Sequence, residues 1–242
     1  MVTGVRSDDL LDLLKAERLL AIVRGKDPAA ALRTLDVLAE EGVTLMEVSL
    51  TGADALSVIR RAASSLGPGV RLGAGTVLTA RDAVAAGDAG ATFVVTPGLG
   101  EGVDEAVRLG LPVIAGALTP TEVMSATARG ATAVKLFPAF MGGVPYLRAL
   151  RGPFPDVPFV AVGGVTLGSA LDDFHDGTDN GTGHDAHGDA RAGARDGIRD
   201  YLEAGAVAVG LGSTLLGDAL NGGDPDDLRR RVRTVLEVVR AS

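Results

Sequence analysis

The chain has 242 residues, a length that suits one α/β barrel of ordinary size or two small domains. Hydrophobic residues make up 46% and charged residues 22%, which excludes disorder throughout, and the absence of cysteine excludes disulfides, thiolate metal sites and a cysteine nucleophile. A formal charge of −8, with 3% aromatic residues and no Trp, argues against nucleic acid as a partner, whether gripped through phosphates or through stacked bases.

Residues 1–14 carry Arg6, Asp8, Asp9 and Asp12 where a secretory leader needs an apolar stretch, and no apolar run reaches the 18 or more residues of a membrane span. The expectation is a cytoplasmic protein without membrane attachment. An amphipathic segment, 7–18, comes first. After it, short apolar runs rich in β-branched residues fall at 20–24, 45–50, 72–77, 93–97, 113–117, 133–137, 159–163 and 206–211. Segments of helical period separate them at 28–41, 53–66, 80–89, 102–109 and 120–128, and 225–240 follows the last. Asp27-Pro28 and Thr119-Pro120 put a capping side chain before a proline at the first helical position. Gly42, Gly90, Gly110, Gly130 and Gly205 stand where helices should stop. Strands that are apolar throughout and alternate with helices require a parallel sheet covered on both faces. Eight such units predict a closed (β/α)8 TIM barrel spanning 1–242 as a single domain, with the first helix over its bottom.

The runs follow one another at 20 to 27 residues except the last, which starts 47 residues after its predecessor. The excess is 172–197, which holds seven Asp, six Gly and all three His, with no Leu, Ile, Val or Met. Such a composition cannot bury enough apolar surface to offset its ordering entropy, so a flexible surface insertion in the seventh βα unit is expected. Its histidines are read as solvated rather than as a metal site.

In a parallel barrel the reactive groups gather at the carboxyl ends of the strands. Lys135 interrupts the apolar run AVKLFP in a chain with only three lysines, the others being Lys15 and Lys26. Burial favours its neutral amine, the form that attacks a carbonyl to make a Schiff base, which arginine cannot do. A lysine pointing outward or paired structurally is the alternative. Glu47, alone in LMEVSL, suits proton transfer beside such an amine, or simple neutralisation of it. Arg24 ends the first run and can grip a carboxylate or phosphate bidentately. Thr76 offers a hydroxyl on a glycine-thinned strand end. Gly163-Gly164 and the GLGS stretch ending at Ser213 follow the last two strands, where barrels acting on phosphorylated sugars commonly hold phosphate.

Taken in order, AIVRG (21–25), LMEVSLT (45–51), LGAGTVL (72–78), VVTPGL (94–99), VIAGALTPTE (113–122), AVKLFPA (133–139), FVAVGGV (159–165) and VAVGLGS (207–213) resemble the 2-keto-3-deoxy-6-phosphogluconate (KDPG) aldolase family of class I aldolases, including enzymes of the galactonate epimer. The resemblance runs from about residue 19 to 219, outside the insertion. It implies that Lys135 is the Schiff-base lysine and Glu47 the general acid/base. Arg24, Thr76, Pro97 and Phe137 would surround the pyruvate portion, and Gly163, Gly164 and Ser213 would bind phosphate. It further implies a homotrimer, no metal and no organic cofactor, and a place in Entner–Doudoroff-type carbohydrate metabolism. One position departs: many gluconate-type members carry arginine four residues after the glutamate, where this chain has Thr51, as members acting on the galactonate epimer also lack it.

The expected reaction is reversible cleavage of a 2-keto-3-deoxy-6-phospho sugar acid to pyruvate and glyceraldehyde 3-phosphate. Cleavage of an unphosphorylated acid such as 4-hydroxy-2-oxoglutarate is the second reading. A phosphosugar-binding barrel without catalysis is the third, and the joint presence of Lys135 and Glu47 weighs against it.

Overall fold

The computed structural model describes residues 6–167 and 197–242. Eight parallel strands close a barrel in sequence order, from β1 (Leu19–Val23) through β2 (Leu45–Ser49), β3 (Arg71–Gly75), β4 (Val94–Val95), β5 (Val113–Ala117), β6 (Ala133–Leu136) and β7 (Phe159–Val162) to β8 (Ala208–Leu211), which pairs back onto β1. Helix α1 (Ser7–Glu17) precedes the barrel, and α2 (Pro28–Glu40), α3 (Ala55–Ser65), α4 (Ala80–Asp88), α5 (Glu101–Arg108), α6 (Pro120–Ala128), α7 (Gly143–Arg151) and α8 (Ile198–Glu203) connect successive strands. A single turn, α9 (Ser213–Leu216), and the long α10 (Pro225–Ala241) follow β8. No described helix is long and apolar enough to cross a membrane.

The local signals act as the sequence predicts. Asp27 accepts a hydrogen bond from Ala29 N–H at the start of α2, and Thr119 closes a capping box with Glu122 at the start of α6. Gly42 and Gly90, after α2 and α4, take left-handed backbone at φ 91° and 100°, where a side chain would be strained. The insertion expected at 172–197 lies outside the described residues, Gly197 apart; there Gly197 bridges Thr166 in parallel and Ile198 N–H donates to Thr166 C=O.

Two elements depart from expectation. The fourth strand, expected over 93–97, is reduced to Val94–Val95. Thr96 explains this: its hydroxyl accepts the Gly116 N–H at 3.2 Å and donates to Gly98 C=O at 2.7 Å, so a side chain replaces the next rung of the ladder. Helix α7 has no sequence start signal. Its N-cap is Gly142, and Pro145 falls in its first turn, where the missing N–H has no intrahelical use.

Two packed layers result. Outward strand residues and the helices form the larger core. Inside the barrel, Leu20, Ile22, Leu45, Phe93, Val95, Ile114, Val160 and Val162 pack with Leu10 and Leu14 of α1, both fully buried. Large inward residues face small ones: a Cβ on Gly73 would collide with the Phe93 ring, and one on Gly210 would come within 2.7 Å of Val162 Cγ2. This complementarity fills the lower barrel. Towards the carboxyl ends it leaves room for polar groups.

Candidate active site

Side chains alternate between the two faces of a strand. Leu45 therefore sends Glu47 and Ser49 inward with it, and Ala133 does the same for Lys135 and Phe137. Glu47 is paired in register with Ile22 on one side and Gly73 on the other, and Lys135 with Gly116 and Val160. Both side chains are buried, with 2% of Glu47 and 6% of Lys135 exposed, and among the described residues no other Asp, Glu, Lys or Arg is buried. Glycines make space at this end of the barrel. A Cβ on Gly75 would stand 2.5 Å from Glu47 Oε1, and one on Gly116 would collide with the Pro97 carbonyl.

Burial moves both groups towards neutrality. Desolvation lowers the pKa of Lys135 below its ordinary 10.5; the Glu47 carboxylate opposes that shift and the Arg24 guanidinium adds to it. Desolvation likewise raises Glu47 above its ordinary 4.5, against the pull of Lys135 and Arg24. Glu47 Oε2 has no hydrogen-bond partner among the described residues, an uncommon condition for a buried carboxylate oxygen. Lys135 Nζ lies 4.7 Å from the centroid of the Phe137 ring, whose π face favours the ammonium form. Burial is the larger influence, so the amine gives up its proton more readily than an ordinary lysine does. An amine of lowered pKa, a proton-exchanging carboxyl and a neighbouring guanidinium can together attack a carbonyl and move protons about the carbon atoms next to it.

Around this pair the structure brings together most of the other predicted residues. Arg24, just past β1, is exposed at the mouth. Thr76, just past β3, has φ 59°, a left-handed conformation that costs a β-branched residue roughly 1–3 kcal/mol. Its hydroxyl lies 2.9 Å from Ser49 Oγ. Pro97 is tucked against Gly116, held by the Thr96 hydroxyl.

A cleft of about 590 Å³ opens on the same end of the barrel, lined by Ile22, Arg24, Phe137, Gly163, Gly164 and Ser213 among others. Phe137 thus belongs both to the cleft wall and to the surroundings of Lys135. Gly163 and Gly164 have φ 91° and 77°, and a Cβ on Gly164 would stand 2.6 Å from Phe140 Cβ, so only glycine lets this loop fold back beside the cleft. Ser213 opens the single turn α9, whose first N–H groups have no partner within the helix. Lys26 and Asn221 also line the cleft. Sequence reasoning missed Ser49, Gly75, Thr96 and Gly116. Ser49 was within reach, since a period of two places it on the face of Glu47; the other three depend on contacts between strands.

The family model described as KDPG and KHG aldolase matches residues 10–178, a stretch that contains Glu47 and Lys135 and stops short of Ser213. A Pseudomonas aeruginosa protein named 2-dehydro-3-deoxy-phosphogluconate aldolase is 41% identical over 165 residues, 66% of this chain and 73% of its own. A Rhizobium meliloti protein named probable 2-dehydro-3-deoxy-6-phosphogalactonate aldolase is 36% identical over 161 residues, 65% of this chain and 76% of its own. Among solved structures, one described as native KDPGal superimposes with a TM-score of 0.75 at 27% identity, covering 92% of this chain and 94% of that one.

Proposed function

Because the chain belongs to the KDPG and KHG aldolase family, we propose that it is a class I aldolase that reversibly cleaves a 2-keto-3-deoxy-6-phospho sugar acid, of the gluconate or galactonate series, to pyruvate and glyceraldehyde 3-phosphate. The observation that carries the mechanism is the buried pair, an amine depressed and a carboxyl raised in pKa at the carboxyl ends of two strands.

The neutral Lys135 Nζ adds to the C2 ketone, and loss of water gives an iminium. Glu47 takes the proton of the C4 hydroxyl. The C3–C4 bond breaks, its electron pair passes to the iminium as an enamine, and the aldehyde departs. Glu47 returns the proton to C3, and water hydrolyses the resulting iminium to pyruvate and free lysine. The iminium is the electron sink, so these steps call for no metal or organic cofactor. Arg24 and Thr76 hold the C1 carboxylate, with Pro97 and Phe137 packing about the three-carbon end. Gly163, Gly164 and Ser213 take the phosphate, whose binding energy positions the reacting bond.

Thr51, at the place of the gluconate-type arginine, is exposed at the mouth. A substrate panel with both C4 epimers, each with and without phosphate, and with 4-hydroxy-2-oxoglutarate reads the choice of sugar acid. The glycine-lined outer cleft favours the phosphorylated acids. We read the assembly as a homotrimer; the exposed Phe140 and Met141, at 63% and 61%, supply apolar surface for contact between copies. The compartment is the cytoplasm, where phosphorylated sugar acids are made and retained.

Borohydride reduction in the presence of pyruvate tests the chemistry. The expected outcome is a stable adduct on Lys135 that is absent from Lys135→Ala; an adduct on Lys15 or Lys26 overturns the assignment.

A further inference from the structure

Ser49 ends β2, two residues beyond Glu47 on the same inward face, and is fully buried. Its Oγ lies 2.8 Å from Thr51 Oγ1 and 2.9 Å from Thr76 Oγ1. Among the described residues neither threonine hydroxyl has another hydrogen-bond partner. Three hydroxyls therefore form a line from the exposed Thr51, through a buried serine, to Thr76.

A hydroxyl carries one proton and two lone pairs. Ser49 sits between two oxygens, so it donates to one neighbour and accepts from the other. Only two senses satisfy the whole line. In one, Thr76 donates to Ser49 and Ser49 to Thr51, leaving the Thr76 lone pairs turned towards the site. In the other, Thr51 donates to Ser49 and Ser49 to Thr76, which frees the Thr76 O–H for a third partner. An ionised carboxylate accepts hydrogen bonds and donates none, so it can sit before Thr76 only in the second sense.

We propose that Ser49 is a positioning residue that holds the Thr76 hydroxyl as a donor to the substrate carboxylate, with Thr51 supplying the proton that Ser49 accepts. The proposal rests on the aldolase reading above, in which Thr76 meets the C1 carboxylate. It gives the serine a function that its burial alone does not require, and gives Thr51 one in place of an arginine. It also accounts for the side of the strand end on which Thr76 is pinned: with φ at 59° the residue is off its preferred backbone, and the serine fixes where its hydroxyl points.

The test compares wild type with Ser49→Ala, Thr76→Ala and the double variant. Borohydride trapping on Lys135 is measured as a function of pyruvate, and separately of hydroxyacetone, a ketone without a carboxylate. Ser49→Ala is expected to raise the half-saturating pyruvate concentration by about tenfold, the scale of one hydrogen bond to a charged group. The hydroxyacetone value should stay within about twofold, and in the Thr76→Ala background the serine substitution should add nothing, since it acts through that threonine. Ser49→Cys, which leaves no void and weakens the hydrogen bond, should behave as Ser49→Ala does and serves if the alanine variant fails to fold. Equal losses for both ketones, full additivity with Thr76→Ala, or an unchanged pyruvate curve would each overturn the proposal. Wild type that shows no pyruvate adduct on Lys135 overturns the aldolase reading itself, and the relay with it.

Discussion

At the scale of the residue, Lys135 and Glu47 act on each other's protonation. The carboxylate raises the lysine pKa and Arg24 lowers it, both set against the larger effect of burial. In the proposed reaction the nucleophile is the neutral amine, so the rate of pyruvate trapping should climb with pH and level off below 10.5, the ordinary value for lysine. Removing the negative charge in Glu47→Gln takes away the influence that raises the lysine pKa, and the rising limb should move to lower pH. Arg24→Met removes one that lowers it, and the limb should move to higher pH. Trapping rates across a pH series check both directions, and the two variants shifting the same way would contradict the arrangement. Both residues were legible in the sequence because an isolated charge in an apolar strand is costly unless it serves a purpose. The hydroxyl line at Ser49 was less so: serine in a strand is unremarkable until its neighbours are seen.

At the scale of the element, the inward glycines decide where side chains can reach. Gly75 leaves the volume that the Glu47 carboxyl occupies, since a Cβ there would stand 2.5 Å from Oε1. Gly75→Ala should therefore displace that carboxyl while the strand persists. Exchange of the pyruvate methyl protons, which the proposed mechanism assigns to that carboxyl, should fall by about 100-fold, the scale of a 1 Å misplacement. Solvent deuterium incorporation followed by NMR gives the value, and exchange within threefold of wild type would show that the carboxyl adapts. Period and punctuation make seven of the connecting or flanking helices and all eight strands readable in the sequence. They failed where a tertiary contact replaced a local rule. Thr96 substitutes its side chain for a rung of β4, and α7 begins on two glycines and a proline because packing of Val144 and Leu147, rather than a cap, holds it.

At the scale of the whole molecule, eight repeats of strand and helix were enough to infer closure, because apolar strands need cover on both faces. The register that sets Glu47 between Ile22 and Gly73 could not be inferred, since it depends on how strands stagger around the ring. One feature of that ring governs traffic through it. Among the described residues Leu10 and Leu14 stopper the lower end, so reactants come and go by the upper doorway. In the proposed reaction the three-carbon fragment is tethered to Lys135 deep within, while the phosphorylated aldehyde lies nearer the threshold. The aldehyde must exit before its partner. Steady-state inhibition should accordingly be competitive with pyruvate, the last to leave, and noncompetitive with glyceraldehyde 3-phosphate, the first. The stopper at one end thereby imposes a queue at the other.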